Sequence, residues 1–353
     1  MESSERTHRA LTEHCQRYPR LQPQDVFKFL YQSAFGCEHA VSSPETTLAR
    51  IAEEYESVCG GGEEMELLDG GFSRVPLAYM NGGLSAETFG KLFALSAQKQ
   101  VDGKDALLQK TAVAKALVSG GELPFSPDDF DAAVARWEAD GYPAVRHSEI
   151  FRETYHPSYR VIANEYLPFL PLFAELDSRM PKGRVTLAVE GGSASGKTTL
   201  GGLLASLYGC TVFHMDDFFL RPEQRTPERY AEIGGNVDRE RFLEEVLQPL
   251  RNGEAITYRK FDCSAMSVGE EVRVIPERLT VIEGAYCMHP ELAGYYDLSV
   301  FLDIDPDLQR KRIEKRNPSL AHRFFDEWFP METAYFSHTH IRKRCDRVIA
   351  IGE

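Results

Sequence analysis

The sequence predicts an α/β protein in which a doubly wound parallel sheet is preceded by a mostly helical N-terminal domain. Three observations carry that reading. Five short apolar, β-branched runs after residue 183 alternate with helical stretches, the pattern of a parallel sheet covered on both faces. The first of these runs leads straight into a glycine-rich turn that opens a helix. Before residue 175, by contrast, apolar residues recur mainly at three- and four-residue spacing.

At 353 residues the chain exceeds what one core usually organises, so two domains are expected, 1–175 and 183–353. A hydrophobic share of 42% and a charged share of 27% are those of a water-soluble globular protein. The net charge of −14 is uneven, −10 over residues 1–180 and −4 over 181–353. Such an acidic chain is poorly suited to nucleic acid, which needs clustered cations. No run approaches the roughly eighteen apolar residues of a membrane span, and the first residues lack a secretory signal's apolar core. The seven cysteines are scattered without a C-x-x-C pair, which argues for reduced thiols, a cytoplasmic location and no zinc site. A homo-oligomer is compatible with all of this.

In chain order, helices are predicted over 24–33, 44–56, 86–97, 105–118 and 128–140. The segment Gly60-Gly61-Gly62-Glu63-Glu64 reads as a mobile loop, and 168–183, with three prolines, as the junction between domains. Strands are predicted over 185–189, 211–215, 279–282, 298–302 and 347–351, with helices opening after the first, near 239–250, and over 307–316. In such a sheet, ligands bind at the carboxyl ends of the strands.

The glycine-rich turn, Gly191-Gly192-Ser193-Ala194-Ser195-Gly196-Lys197-Thr198, fits G-x-x-x-x-G-K-[ST] in full, between a strand and a helix. Glycines let successive N–H groups of the loop, through Thr199, converge on a phosphate at the positive end of the helix. Lys197 would reach the β- and γ-phosphates of ATP, and the Thr198 hydroxyl would ligate Mg²⁺. The fold expected is therefore that of a P-loop NTPase.

Three further features lie at strand ends or beyond. Asp216-Asp217 follows the strand 211–215. A carboxylate there, Asp216 in preference to Asp217, can accept the proton of an attacking hydroxyl or help hold Mg²⁺. Glu283 ends the buried run 279–282, the Walker-B position, where it serves Mg²⁺. The cations Arg310, Lys311, Arg312, Lys315, Arg316 and Arg323 form either a solvated helix face or a lid that closes over the transferring phosphate. Arg312 and Arg316 stand one turn apart and can point the same way.

With His214-Met215-Asp216-Asp217-Phe218-Phe219, Thr257-Tyr258-Arg259-Lys260-Phe261-Asp262, Val281-Ile282-Glu283-Gly284 and the basic helix in this order, residues 183–353 resemble the uridine kinase/phosphoribulokinase family of P-loop kinases. The resemblance implies that Asp216 is the general base for a substrate hydroxyl. It also implies that Thr198 and Glu283 serve Mg²⁺, and that the segment around 312–323 is the lid. Two pyrimidine-site elements differ: the position matching that family's histidine falls near Cys263, and Gly234-Gly235-Asn236-Val237-Asp238 replaces its D-H-P-D stretch. The expected activity is accordingly a kinase with a small-molecule hydroxyl acceptor, nucleoside or other metabolite, contacted by Asp238 and Tyr258. A nucleotide-dependent regulatory ATPase, its N-terminal half binding a partner, is the competing class; transfer to an acceptor separates the two.

In the first half, the stretches 31–39 and 147–160 stand out, the second mixing His, Glu, Arg and three polar aromatics. They read either as an amphipathic, tyrosine-rich packing face or as the lining of a small-ligand pocket. In the second case Arg152 or Arg160 pairs with an anion, or His39, His147 and Glu149 hold a metal.

Overall fold

The computed structural model describes residues 2–37, 44–56, 64–99 and 103–352. The chain divides into two compact units, Met1–Asp177 and Ser178–Glu353. Helices of the first unit are α1 (Glu2–Arg17), α2 (Pro23–Phe35), α3 (Pro44–Glu56), α4 (Ala86–Ala97), α5 (Lys104–Ser119), α6 (Pro127–Ala139) and α7 (Glu149–Tyr155), with α8 (Leu170–Arg179) crossing the division. Local chemistry sets their ends. Pro23 opens α2, where its missing N–H costs nothing, and the Asp25 carboxylate accepts from the Gln22 amide at 2.8 Å. Ser85 caps α4 by accepting from Thr88 N at 3.1 Å.

Two features of this unit escape a periodicity reading. The polar helix α1 buries only a narrow stripe, Thr7, Leu11, His14 and Cys15. A three-stranded antiparallel sheet joins β1 (Glu66–Leu68), β2 (Phe72–Pro76) and β3 (Tyr159–Ala163) in that order. Its central strand is buried along its whole length yet carries Arg74, which interrupts the apolar run. The segment 168–183, expected as the junction, contains the division between the units and holds α8, with Pro171 in the helix's first turn, where proline is tolerated. Of the expected loop 60–64, only Glu64 lies among the described residues; Glu38 and His39 lie outside them.

The second unit is built on β4 (Val185–Gly191), β5 (Thr211–His214), β8 (Leu279–Glu283), β9 (Leu298–Ile304) and β10 (Arg347–Ile351). They form one sheet in the order β10-β9-β4-β8-β5, and every neighbouring pair in it is parallel. The doubly wound sheet expected from the sequence is therefore present. β4 is buried at every position, as a strand with helices over both faces must be. Helix α9 (Lys197–Tyr208) follows β4. A hairpin, β6 (Ile256–Asp262) with β7 (Ser267–Val274), stands apart from the sheet.

Register brings the strand ends together. Val189 of β4 pairs with Glu283 of β8, and Glu283 pairs in turn with His214 of β5. The strand expected over 211–215 stops one residue early because Met215 begins a tight turn, Met215–Phe218. Met215 and Phe218 are fully buried in a cluster with Phe213, Phe242, Tyr258 and Tyr335. Burying each aromatic contributes about 1.5–3 kcal/mol, which pins the turn at both ends and leaves Asp216 between the anchors.

Candidate functional site

The turn after β4 has the conformation its glycines permit. Gly191 has φ 152°, and a Cβ there would lie 2.8 Å from the Leu302 carbonyl oxygen. Gly196 has φ 100°, and Ala194, at φ 59°, takes the left-handed region without being glycine. Lys197 Nζ donates to the carbonyls of Gly191 at 2.8 Å and Gly192 at 2.9 Å, so the ammonium lies across the loop. Thr198 and Thr199 are exposed at the start of α9.

Thr198 Oγ1 donates to Glu283 Oε1 at 2.9 Å, and His214 Nδ1 meets the same oxygen at 2.6 Å. That bond, the larger influence, raises the His214 pKa above 6.5 against a smaller effect of burial. Asp216 keeps solvent access, but the protein crowded around it raises its pKa above 3.8. Lys197 opposes that rise and Glu283 adds to it, so all three charges share one local field. Asp217 turns away, pairing with Lys260 of the hairpin at 2.9 Å.

Carbonyls on the outer side of the loop are held by the helix Pro306–Arg316. Gln309 Nε2 donates to Ser193 O at 2.8 Å, and Arg312 Nη1 to Ala194 O at 3.2 Å. Arg316 is exposed, and Arg323 forms an exposed ion pair with Glu327 at 2.9 Å. Of the predicted cations, Arg312 is therefore the one placed at the loop, and Arg316 does not share its contact. Asp238 caps the helix Arg239–Phe242 by accepting from Arg241 N at 3.2 Å, with Arg221 and Arg241 within 4 Å of its other oxygen. Tyr258 is a core residue, its ring 5.4 Å from Phe213 and 5.7 Å from Phe218; packing accounts for it without a substrate.

Residues outside the motif also shape the loop. Glu332, from the helix Phe329–Thr339, accepts from Ser193 N at 3.0 Å and Ser193 Oγ at 2.6 Å, and burial raises its pKa. Glu190, the residue before Gly191, is completely buried. It accepts from Gly191 N (2.9 Å), Tyr286 N (3.2 Å), Met288 N (3.1 Å) and the Tyr335 hydroxyl (3.2 Å). Burial pushes its pKa up to about 7 despite these donors and Lys197. An acid directly after the apolar, β-branched run 185–189 was the sequence signal for Glu190; Glu332, far along the chain, offered none.

Thr198, Glu283 and Asp216 supply hard oxygen donors, which suits Mg²⁺. Among the described residues, no three His, Cys, Asp or Glu side chains are grouped to hold a metal by themselves. Mg²⁺ takes one or two carboxylates and leaves its other positions to phosphate and water. The metal reading of His147 with Glu149 fails: Nδ1 of His147 is bonded to Asp25 at 3.0 Å and Nε2 to the Tyr159 hydroxyl at 2.7 Å, leaving no ring nitrogen for an ion. The six cysteines among the described residues are free thiols, and no described helix is long and apolar enough to cross a membrane.

Residues 186–317 match the model of the Phosphoribulokinase / Uridine kinase family. No curated protein matches the chain. Among solved structures, a "Possible Uridine Kinase" from Bacillus stearothermophilus is 23% identical with a TM-score of 0.38, covering 50% of this chain and 99% of that one. Shikimate kinase from Acinetobacter baumannii in complex with shikimate is 19% identical with a TM-score of 0.26, covering 48% and 85%.

Proposed function

We propose that the protein is an ATP- and Mg²⁺-dependent kinase that moves the γ-phosphate onto a hydroxyl of a small molecule, a nucleoside or another metabolite, in the cytoplasm. The observation that carries this reading is Asp216. It is a solvent-accessible carboxylate at a neighbouring strand end, within the field of Lys197 and beside the Thr198–Glu283 pair. A protein that only hydrolysed or sensed ATP would not need a base facing an acceptor. The family match over residues 186–317 supports the same reading.

In this mechanism the amides of residues 192–199 cradle the phosphates, and Lys197 leaves its two carbonyl partners for the phosphate oxygens. Mg²⁺ held by Thr198 and Glu283 would shield the negative charge of the β- and γ-phosphates. Asp216 orients the acceptor hydroxyl and takes its proton as the new O–P bond forms and the bond to the β-phosphate bridging oxygen breaks, releasing ADP. A raised pKa makes Asp216 a stronger base. Arg312, which donates to the Ala194 carbonyl of the loop, would leave that carbonyl to draw charge from the transferring group.

The test is incubation with γ-labelled ATP and a panel of nucleosides, sugars and hydroxy acids. Label should pass to an acceptor, and Asp216→Asn should slow transfer by about 10²- to 10⁴-fold while leaving ATP bound. Hydrolysis with no labelled acceptor, unchanged in Asp216→Asn, would sink the proposal.

A further inference from the structure

The first unit buries more polar chemistry than its packing requires. A chain of bonds runs from Asp25 through His147 to Tyr159, with His147 Nδ1 to Asp25 Oδ1 at 3.0 Å and His147 Nε2 to the Tyr159 hydroxyl at 2.7 Å. Gln32 bonds Tyr159 and accepts from Arg74 Nε at 2.9 Å. Arg74 Nη1 then reaches Glu66 at 2.8 Å, and Glu66 meets His14 at 2.5 Å. Burial holds the His147 pKa down to about 4, so at neutral pH its ring is uncharged. Nδ1 therefore donates to the Asp25 carboxylate, and Nε2 accepts from Tyr159. Apolar replacements of buried networks of this kind are often neutral or stabilising, so stability alone does not account for it.

One end of the network forms the wall of a cavity of about 260 Å³ lined by Lys28, Arg50, Glu54, His147, Tyr159 and Arg160, with Phe93 and Pro157 as apolar walls. Three cations face one carboxylate there, because His147 is neutral. Arg160 Nη1 is held by Glu54 at 2.8 Å, which leaves Lys28 and Arg50. Lys28 Nζ contacts the Val145 carbonyl at 3.3 Å, and among the described residues no carboxylate forms an ion pair with Lys28 or Arg50. Burial, then the like charge of Arg74, brings the Lys28 pKa down to about 8. Among the described lining residues three cations stand against one carboxylate, Glu54, in a half-chain of net −10, with Asp25 of the adjoining network also acting on Lys28.

We propose that this cavity is a binding site for a small organic dianion, a phosphate monoester or a dicarboxylate. Its cations would supply the charge-assisted bonds and the fixed His147–Tyr159 wall the shape. The volume lies at the small end of ligand sites and suits a small ligand. The site is independent of the kinase proposal, since every lining residue belongs to the first unit.

The experiment is calorimetric titration of the full chain with inorganic phosphate, succinate and acetate, repeated on Lys28→Met, Arg50→Ala and Lys197→Ala. Arg50 is exposed, so Arg50→Ala keeps the fold, which circular dichroism verifies. At least one dianion should bind, weakened about tenfold or more in Lys28→Met and Arg50→Ala, because each variant removes a charged hydrogen bond. The component weakened in Lys28→Met and Arg50→Ala should persist in Lys197→Ala, which removes only phosphate bound at the loop of the second unit. Phosphate alone would identify the phosphoester class, and succinate alone the dicarboxylate class. The proposal is overturned if neither dianion binds, if binding is lost in Lys197→Ala and retained in the other two variants, or if acetate binds as tightly as the dianions.

Discussion

Glu190 should make the second unit less stable as pH rises. The group titrates near 4.5 in an unfolded chain and near 7 in the folded one, where burial outweighs its four donors. Between those values the folded state holds the extra proton, so stability falls with increasing pH and levels off above about 7. A difference of about 2.5 pKa units corresponds to roughly 3 kcal/mol. Glu190→Gln removes the titration. Its amide nitrogen cannot accept from Met288 N or Gly191 N, and that loss costs about 1–3 kcal/mol at every pH. The stability difference, wild type minus variant, should therefore be largest near pH 4.5 and about 3 kcal/mol smaller at pH 8. Guanidinium melts of both proteins in a Trp137→Phe background, followed by Trp328 fluorescence, confine the readout to the second unit. A difference curve flat between about pH 5 and 8 would show that Glu190 keeps an ordinary acidity, and the reasoning from its burial would fail.

Asp216→Asn should lower kcat by about 10²- to 10⁴-fold and erase the acid limb of the kcat/KM profile, which in the wild type lies above the ordinary Asp value of 3.8; an unchanged limb would remove Asp216 from the chemistry. Leu187→Ala, at a fully buried position in the central strand β4, should cost about 2–5 kcal/mol in the same melts. The His214–Glu283 pair raises the His214 pKa, so its stabilisation is complete below pH 6.5 and lost as pH rises through the folded value. His214→Gln should therefore destabilise more at pH 6 than at pH 9, and equal losses at both would refute the pairing.

The parallel sheet was legible because its strands are unbroken apolar runs and its loop needs glycine at fixed positions, as Gly191 and Gly196 show. Asp216 and Glu283 could be read for the same reason: each follows or ends such a run, so topology alone puts them at the ligand edge. The sheet of the first unit was hidden by Arg74, a charge at the centre of its buried middle strand. Tyr258 looked like a ligand contact because sequence cannot tell a polar aromatic in a pocket from one in a core; Phe213 and Phe218 decide that. Arg312 and Arg316 were equivalent by spacing, and only the approach of the loop to one turn of the helix separated them.

The two carbonyls that hold Lys197 give the loop a threshold. An anion that engages the ammonium must displace neutral oxygens already at 2.8 and 2.9 Å, so a weakly charged ligand gains little and a polyphosphate gains much. Under the proposed reading, selection there would proceed by charge density before shape, with Lys197 favouring di- and triphosphates over monophosphates even where the rest of the nucleotide is the same.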